Sequence, residues 1–339
     1  MSTKIFRTTV TGSYPRPQQP GDTLRKPALS REQADELIRW AVTDQVDAGL
    51  DVVTDGEGRR ENMYYFFQKR LEGLSFAEMK YRKYGPLGFG IEIAKVVSRL
   101  GNPHFELARD WRVARDAAPA HVEVKLTCTG PHMLAKFSNN ARTDLYPTDR
   151  HLAEAYAALL NDQLKEAVRA GCELIQFDEP AWTAFPEESV WAAEVLNQAS
   201  AGLAVRIGLH VCCGNAYRKR AYTTRYQDLA AAFRVARLDQ VCLEHCTLGY
   251  DMMTLWDMWD FKGEFAVGVI DQRSDAIESL EEIANRVRPA RVRFPPERLL
   301  LTSECGFQHV PLEITRTKLR ALVAGARYLR ESQFSETPA

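Results

Sequence analysis

Short apolar runs alternate with longer, more polar stretches along most of the chain. The runs are rich in β-branched residues and end in turn-forming residues, which is typical of buried strands, whereas the intervening stretches are typical of helices. The predicted strands are residues 8–13, 51–55, 122–127, 174–177, 206–212, 240–244, 264–270 and 299–303. The predicted helices are residues 31–48, 61–71, 150–170, 188–199 and 312–331.

Strands that alternate with helices in this way indicate an α/β fold, a single (β/α)8 TIM barrel, with a doubly wound open sheet as the alternative. The barrel is favoured because chemically reactive residues end nearly every predicted strand, and barrels build their active sites at the carboxyl ends of their strands. We expect one domain over residues 1–339. Residues 73–121 break the alternation and are predicted to be an insertion between strands two and three, part hairpin and part helix, and this insertion is a candidate lid.

The overall composition excludes several classes of protein. With 45% hydrophobic residues, 26% charged residues and a net charge of −1 in 339 residues, the chain favours neither nucleic acid nor an anionic membrane as a partner. Its 7 cysteines are odd in number and lack the spacing of a disulfide framework, so a reducing compartment is expected. No secretory signal or membrane-spanning run is visible, and we therefore expect a cytoplasmic protein.

Four residues at the ends of predicted strands have the chemistry of a zinc site. His210 and Cys212 lie two positions apart on one strand, so their side chains face the same side. Glu244 ends the next strand and Cys305 follows the last one. One histidine, two cysteines and one carboxylate can hold Zn²⁺ tetrahedrally, and a parallel barrel brings strand ends to one face.

The choice of these ligands favours catalysis over a purely structural metal. Structural zinc sites usually have four Cys or His ligands at close spacing, whereas these ligands are far apart in the sequence and include a carboxylate. A thiol bound to Zn²⁺ is deprotonated yet remains nucleophilic, so the set predicts a metal that activates a thiol for alkylation. The alternative is that His210 is a buried histidine and the cysteines are small core residues.

Further motifs occur in a fixed order along nearly the whole chain. They are Thr11-Gly12-Ser13-Tyr14-Pro15, Asp55-Gly56-Glu57, Arg60-Glu61-Asn62-Met63, Thr129-Gly130-Pro131 and Phe177-Asp178-Glu179-Pro180-Ala181. Together with the zinc-site residues, this order resembles the C-terminal catalytic domain of the cobalamin-independent methionine synthases over roughly residues 6–330.

The resemblance implies a zinc-dependent S-alkyltransferase, in which the thiolate of homocysteine takes a methyl group from methyltetrahydrofolate. By position it implies zinc ligands at His210, Cys212, Glu244 and Cys305, and an amino-acid site at Gly12, Ser13, Glu57 and Asp178. A pair of carboxylates suits an α-ammonium group, and a turn with hydroxyl and N–H groups suits an α-carboxylate. The alternative is that the glycine-serine turn and the strand-end acid are only structural.

Two residues depart from the family pattern, and both concern the alkyl donor. Phe137 stands where the family has a tryptophan that stacks on the pterin, and Arg273 stands where it has a histidine that donates a proton to the leaving group. Arginine cannot act as an ordinary acid because it is effectively always protonated. The chain also resembles the short members that consist of the catalytic core, for some of which a corrinoid-bound methyl donor is expected.

These departures leave the prediction of thiol alkylation unchanged and leave the identity of the donor open. The expected partners are a small-molecule thiol acceptor and a methyl or alkyl donor, with a corrinoid or another donor protein as an option. One alternative is an epoxyalkane:coenzyme M transferase-like enzyme, in which Arg273 or residues 218–220 would bind a sulfonate. A second alternative is a non-catalytic protein that binds zinc or a thiol ligand.

Overall fold

The computed structural model describes residues 4–17, 29–84, 89–215 and 218–335. Residues 85–88 of the predicted insertion lie outside this range. The strands are β1 (Arg7–Thr8), β2 (Val52–Val53), β3 (Glu72–Tyr84), β4 (Phe89–Gly101), β5 (Glu123–Val124), β6 (Leu126–Thr129), β7 (Ser138–Asn140), β8 (Leu174–Asp178), β9 (Arg206–Val211), β10 (Gln240–Glu244), β11 (Glu264–Ile270) and β12 (Leu299–Ser303). The α-helices are α1 (Arg31–Asp47), α2 (Tyr65–Gln68), α3 (Leu107–Ala117), α4 (Pro131–Lys136), α5 (Asp149–Arg169), α6 (Ala181–Ala184), α7 (Ser189–Ala199), α8 (Ala230–Val235), α9 (Leu255–Met258), α10 (Leu280–Arg291) and α11 (Leu312–Ser335).

A curled parallel sheet forms the centre of the α/β fold. Its seven strands pair in the order β1-β12-β11-β10-β9-β8-β6, so the first and the last strand of the chain are neighbours. The strands follow chain order without the reversal that defines a doubly wound sheet. Strands β2 and β5 pair in parallel, and Thr9 forms an isolated parallel bridge with Val52. Only Lys125 separates β5 from β6.

A long antiparallel hairpin extends from this framework. Strands β3 and β4 form the hairpin, and β7 pairs in parallel with β4. A hairpin and the helix α3 both fall within residues 73–121, and α3 packs against α1 and α5. The division of this stretch into an insertion and a framework element remains a prediction.

The helices begin where the side chains of the sequence can cap them. The hydroxyl groups of Ser30, Thr148 and Ser279 each accept a hydrogen bond from a backbone N–H in the first turn of α1, α5 and α10. The predicted helix over residues 61–71 is wrong in length, since α2 covers only Tyr65–Gln68. The side chain of Asn62 accepts hydrogen bonds from the backbone just before and at the start of α2, and the chain enters β3 at Glu72. Among the described residues, no helix combines the length and the apolarity needed to cross a membrane.

Four charged side chains close the amino ends of the strands. Arg7 pairs with Glu123 at 2.9 Å and also with Glu264, while Arg206 pairs with Glu264 at 3.3 Å and also with Glu123. These pairs form a ring of alternating charge, which we call the charged ring. The next layer of the interior is apolar and comprises Val52, Cys242, Ala266 and Leu300. This end of the sheet is therefore filled, and a ligand site must lie at the opposite, carboxyl end.

Candidate metal centre and active site

A cavity of about 180 Å³ opens at the carboxyl ends of the strands. The residues that line it include eight of the predicted site residues: Gly12, Ser13, Glu57, Phe137, Asp178, His210, Cys212 and Cys305. The fold thus brings together residues that lie almost 300 positions apart in the sequence (Gly12 and Cys305). Among the described residues that line this cavity, Glu244 and Arg273 are not found.

Three of the predicted zinc ligands form a compact group. One ligand atom from each of His210, Cys212 and Cys305 lies within 4.8 Å of the others. Nδ1 of His210 is 3.2 Å from the carbonyl oxygen of Cys242, whereas Nε2 is buried and has no hydrogen-bond partner among the described residues. When Nδ1 donates to that carbonyl, the lone pair of Nε2 is left for a metal. A buried unpaired imidazole nitrogen beside two thiols is a donor set that fits Zn²⁺.

A hydrogen bond couples the protonation of the two thiols. A hydrogen bond with Cys305 and the neighbouring His210 lower the pKa of the Cys212 thiol well below its ordinary value. The same hydrogen bond and burial raise the pKa of Cys305. Cys212 is therefore ready to serve as a thiolate ligand, and a cation bound between the two sulfurs would favour deprotonation of Cys305 as well.

Glu244 lies outside the three-residue group. Its Oε1 accepts hydrogen bonds from the backbone N–H of Cys213, at 2.7 Å, and from the side chain of Asn215. Its Oε2 has no hydrogen-bond partner in the described part of the chain, although Arg220 lies 3.6 Å away. Burial, together with the nearby Glu304 and Cys212, raises the pKa of Glu244 to about 7. In this structure, Glu244 is thus held by backbone and amide groups rather than gathered with the other candidate ligands.

Arg273 is surrounded by carboxylates rather than directed into the cavity. Its guanidinium group donates to Glu304 at 2.6 Å and to Asp271 at 3.1 Å, and it lies 3.9 Å from Glu244. Such a guanidinium is already paired, which disfavours a role in binding a sulfonate. Glu304 was not singled out from the sequence, because a glutamate within an apolar strand end gives no signal until its partners are known.

The turn at Gly12 fits closely against Glu57. A Cβ atom at position 12 would lie 2.5 Å from Oε1 of Glu57, so a side chain there would displace the carboxylate. Oε1 also accepts a hydrogen bond from Thr127 at 3.1 Å and lies 3.4 Å from Nη1 of Arg60. Glu57 has a left-handed backbone with φ of 53°, which is uncommon for a residue other than glycine. Local sterics and hydrogen bonds thus place the Glu57 carboxylate in the cavity wall.

Asp178 presents a second carboxylate to the same cavity. Its Oδ1 accepts a hydrogen bond from Gln176 at 2.8 Å. Burial and the charge of Glu57 raise the pKa of Asp178 to about 7. A cationic group of a ligand placed between the two carboxylates would relieve this repulsion. By contrast, the adjacent Glu179 accepts two backbone N–H groups at the start of α4, which is a structural role, whereas the binding role of Asp178 remains a prediction.

Two aromatic rings also line the cavity. The rings of Phe137 and Tyr64 have centroids 5.2 Å apart and are tilted by 47°. Asn62 also lines the cavity, and its Nδ2 is buried with no hydrogen-bond partner among the residues that the structure describes. Asn62 was predicted only as part of a motif, because the orientation of an amide depends on backbone groups that the sequence does not position.

Comparisons with known proteins identify the family of this chain. Residues 6–328 match the family model described as the catalytic domain of the cobalamin-independent synthases. The chain is similar to the methionine synthase of Saccharolobus solfataricus, at 31% identity over 96% of both chains. It is also similar to the methionine synthase of Sulfolobus acidocaldarius, at 33% identity over 96% of this chain and 93% of the relative.

Solved structures give the same result. A B12-independent methionine synthase from Shewanella sp. W3-18-1, in complex with selenomethionine, superimposes with a TM-score of 0.88 at 27% identity and covers 98% of this chain and 99% of the relative. A putative vitamin-B12-independent methionine synthase from Listeria monocytogenes shares the fold, with a TM-score of 0.75 at 19% identity and coverage of 97% and 99%. This chain therefore belongs to the cobalamin-independent methionine synthase family.

Proposed function

We propose that this member of the family is a zinc-dependent methyltransferase that methylates the thiol of homocysteine to give methionine. One observation carries the proposal. The unpaired Nε2 of His210 is grouped with two thiols in the same cavity that contains the carboxylates of Glu57 and Asp178. A metal that binds sulfur and a pair of acids that binds an ammonium group together suit an amino acid that carries a thiol.

The relatives support this choice of substrate. Those reported above are named methionine synthases, and the Shewanella structure is a complex with selenomethionine. Selenomethionine is the proposed product with selenium in place of sulfur. None of the observations above favours a corrinoid donor, and the paired state of Arg273 disfavours an acceptor with a sulfonate group.

His210, Cys212 and Cys305 would hold the zinc ion, with Glu244 as a fourth ligand if its carboxylate turns from its present hydrogen bonds. When bound there, zinc supplies a positive charge that keeps the substrate thiol deprotonated at neutral pH. The residues of this chain would then bind and orient the substrate. Glu57 and Asp178 would pair with the α-ammonium group, and the turn at Ser13 would receive the α-carboxylate.

These contacts would orient a sulfur lone pair for in-line attack on the methyl carbon of the donor. As the carbon–sulfur bond forms, the bond between the methyl carbon and the donor breaks, and its electron pair goes to the leaving donor. Holding two reactants in the correct geometry removes much of the entropic barrier of a bimolecular reaction. The aromatic pair of Phe137 and Tyr64 and the amide of Asn62 would form the wall that faces a small-molecule methyl donor. Thiol ligands must remain reduced, so a reducing compartment such as the cytoplasm belongs to the proposal.

The proposed fold is a closed (β/α)8 barrel in a single domain. Three pairings support closure: β2 with β5, Thr9 with Val52, and β1 with β12. With β5 and β6 regarded as one strand interrupted at Lys125, eight parallel strands would form the ring. The hairpin of β3 and β4 would be the main part of the insertion over residues 73–121.

X-ray absorption at the zinc edge tests the proposal directly. The purified, zinc-loaded protein is measured alone, with homocysteine and with coenzyme M. We expect the number of sulfur neighbours of zinc to rise from about two to about three with homocysteine and to remain unchanged with coenzyme M. An unchanged zinc environment with homocysteine, or failure of the protein to hold zinc, would contradict the proposal. A rise with coenzyme M alone would instead favour the transferase that alkylates coenzyme M.

A further inference from the structure

We infer that Lys125 and Gln176 are positioning residues that hold the carboxylate of Asp178 in the orientation that receives the α-ammonium group of the thiol substrate. The inference rests on the proposed function, which assigns this ammonium group to Asp178 and Glu57. Lys125 and Gln176 are absent from the described lining of the cavity, so both would act through Asp178 and not on the ligand itself.

A continuous chain of hydrogen bonds links Lys125 to Asp178. Nζ of Lys125 donates to the carbonyl oxygen of Val10 at 2.9 Å and to Oε1 of Gln176 at 2.7 Å. Nε2 of Gln176 donates to the carbonyl oxygen of Thr11 at 2.8 Å and to Oδ1 of Asp178 at 2.8 Å. Lys125 is 1% exposed and Gln176 is 0% exposed, so bulk water cannot substitute for a lost partner.

The lysine determines which way the amide of Gln176 points. An ammonium group has donors and no acceptor, so Lys125 can bond only to the oxygen of the amide. If the amide were turned over, its nitrogen would face the ammonium group and its oxygen would face the carboxylate of Asp178. Both contacts would then be repulsive. Lys125 therefore makes Gln176 a donor to Asp178, although no hydrogen bond joins Lys125 to Asp178 in the described structure.

This arrangement suits a carboxylate that must bind a cation while it is buried. Burial and the neighbouring Glu57 both disfavour the charged form of Asp178, whereas the hydrogen bond from Gln176 favours it. The same bond engages one carboxylate oxygen and thereby limits rotation of the group. Asp178 lines the cavity, so we expect the second oxygen to meet the ligand. A residue that is held in this way loses less conformational entropy when the ligand binds.

The experiment measures how strongly the protein prefers a thiol that carries an α-ammonium group over the same thiol without it. Calorimetry with the zinc-loaded protein gives the dissociation constants of homocysteine and of 4-mercaptobutanoate, which is homocysteine without the α-amino group. The variants are Lys125→Met, Gln176→Met and the double variant. Each single change should lower the preference for homocysteine about tenfold, because a hydrogen bond to a charged group is weakened or lost. The double variant should lose no more than Gln176→Met alone, because Lys125 would act only through Gln176.

The ratio of two dissociation constants within one variant is insensitive to the fraction of active protein, which separates positioning from general damage. Lys318→Met is the matched control. Lys318 is also fully buried, and its Nζ donates a hydrogen bond to Glu278 at 2.9 Å. Neither residue belongs to the described lining of the cavity. This control should keep the preference of the wild type. If Lys125→Met fails to fold, the comparison of the double variant with Gln176→Met still tests the inference. The double variant removes both Nζ of Lys125 and Oε1 of Gln176, so neither of these two groups is left buried without the other.

The outcomes distinguish the inference from the proposed function. If the wild type binds both thiols equally or binds neither, the assignment of the ammonium site fails, and the inference fails with it. A second outcome is that the wild type prefers homocysteine, that Asp178→Asn removes this preference and that Lys125→Met retains it. In that case only the positioning role of Lys125 is overturned. Additive losses in the double variant would also overturn it, because Lys125 would then act by its charge and not by orienting the amide.

Discussion

The charged and polar groups at the two ends of the parallel sheet differ in whether the protein itself provides their partners. At the amino ends, Arg7, Glu123, Arg206 and Glu264 are each paired with two others in the charged ring. At the carboxyl ends, Nε2 of His210 and Nδ2 of Asn62 are buried without a hydrogen-bond partner among the described residues, beside two carboxylates.

This difference shows how to separate stabilising charges from functional ones in this fold. A buried polar group without a partner costs free energy, and in the cavity a bound ligand can offset that cost. Charges that pair with each other leave no unpaired group for a ligand, so the charged ring is expected to contribute to stability. Substitutions at the two ends should therefore affect different measurements.

The largest effect is expected in the three-residue group of His210, Cys212 and Cys305. Cys305→Ala removes one of the three candidate ligand atoms that lie within 4.8 Å of each other. Because changes in the outer partners of a metal ligand already cost about 10–100-fold in affinity, loss of a ligand should weaken zinc binding by more than about 100-fold. The zinc content that remains after dialysis should fall, and the rate of methionine formation should fall with it. If Cys305→Ala kept full zinc and full activity, Cys305 would not be a ligand.

A smaller effect is expected at the acid pair. Asp178→Asn keeps the shape of the side chain but removes the charge that would meet the α-ammonium group. We expect affinity for homocysteine to fall roughly 10–100-fold, as for the loss of a charged hydrogen bond, with zinc content unchanged. Calorimetry and zinc analysis on the same preparation measure both quantities. Unchanged affinity would assign the ammonium group to another residue.

Glu244→Gln should have a lesser effect than Cys305→Ala on zinc. The glutamine can still accept the hydrogen bond from Cys213, and position 244 lies outside the three-residue group. We expect a loss in zinc affinity of about tenfold or less, since only an outer partner or a weakly held ligand changes. Competition with a zinc chelator provides the measurement. A loss as large as that of Cys305→Ala would make Glu244 an equal ligand.

The smallest effect on the site is expected from the charged ring. Arg7→Met leaves Glu123 and Glu264 with Arg206 as their only arginine partner within the charged ring, in a partly buried position. The free energy of unfolding should fall by about 1–2 kcal/mol, between the values for exposed and fully buried pairs. Urea unfolding measures this change, and the affinity for homocysteine should match that of the wild type. A change in affinity instead would mean that the two ends of the sheet are coupled.

Much of the site could be predicted from the sequence because its residues follow recognisable strands. His210, Cys212 and Cys305 were predicted as ligands from their places at strand ends, and the structure brings them together. Glu57 and Asp178 were assigned to one amino-acid site by resemblance, and they line one cavity.

Other features could not be predicted because they depend on partners from distant parts of the chain. Glu304 neutralises Arg273 across the ends of β11 and β12, and Asn215 holds Glu244. The length of α2 depends on the side chain of Asn62, which competes locally with a longer helix. In each case the sequence shows the residue type but leaves its hydrogen-bond partner open.

The sequence by itself determined the alternation of strands and helices and the residue types that end the strands, because apolar periodicity and turn residues act locally. The tertiary structure alone decided which polar groups are satisfied by the protein and which remain for a ligand. The amide of Gln176 illustrates the reason: its direction depends on Lys125, a residue 51 positions earlier that reaches it only after the strands have paired.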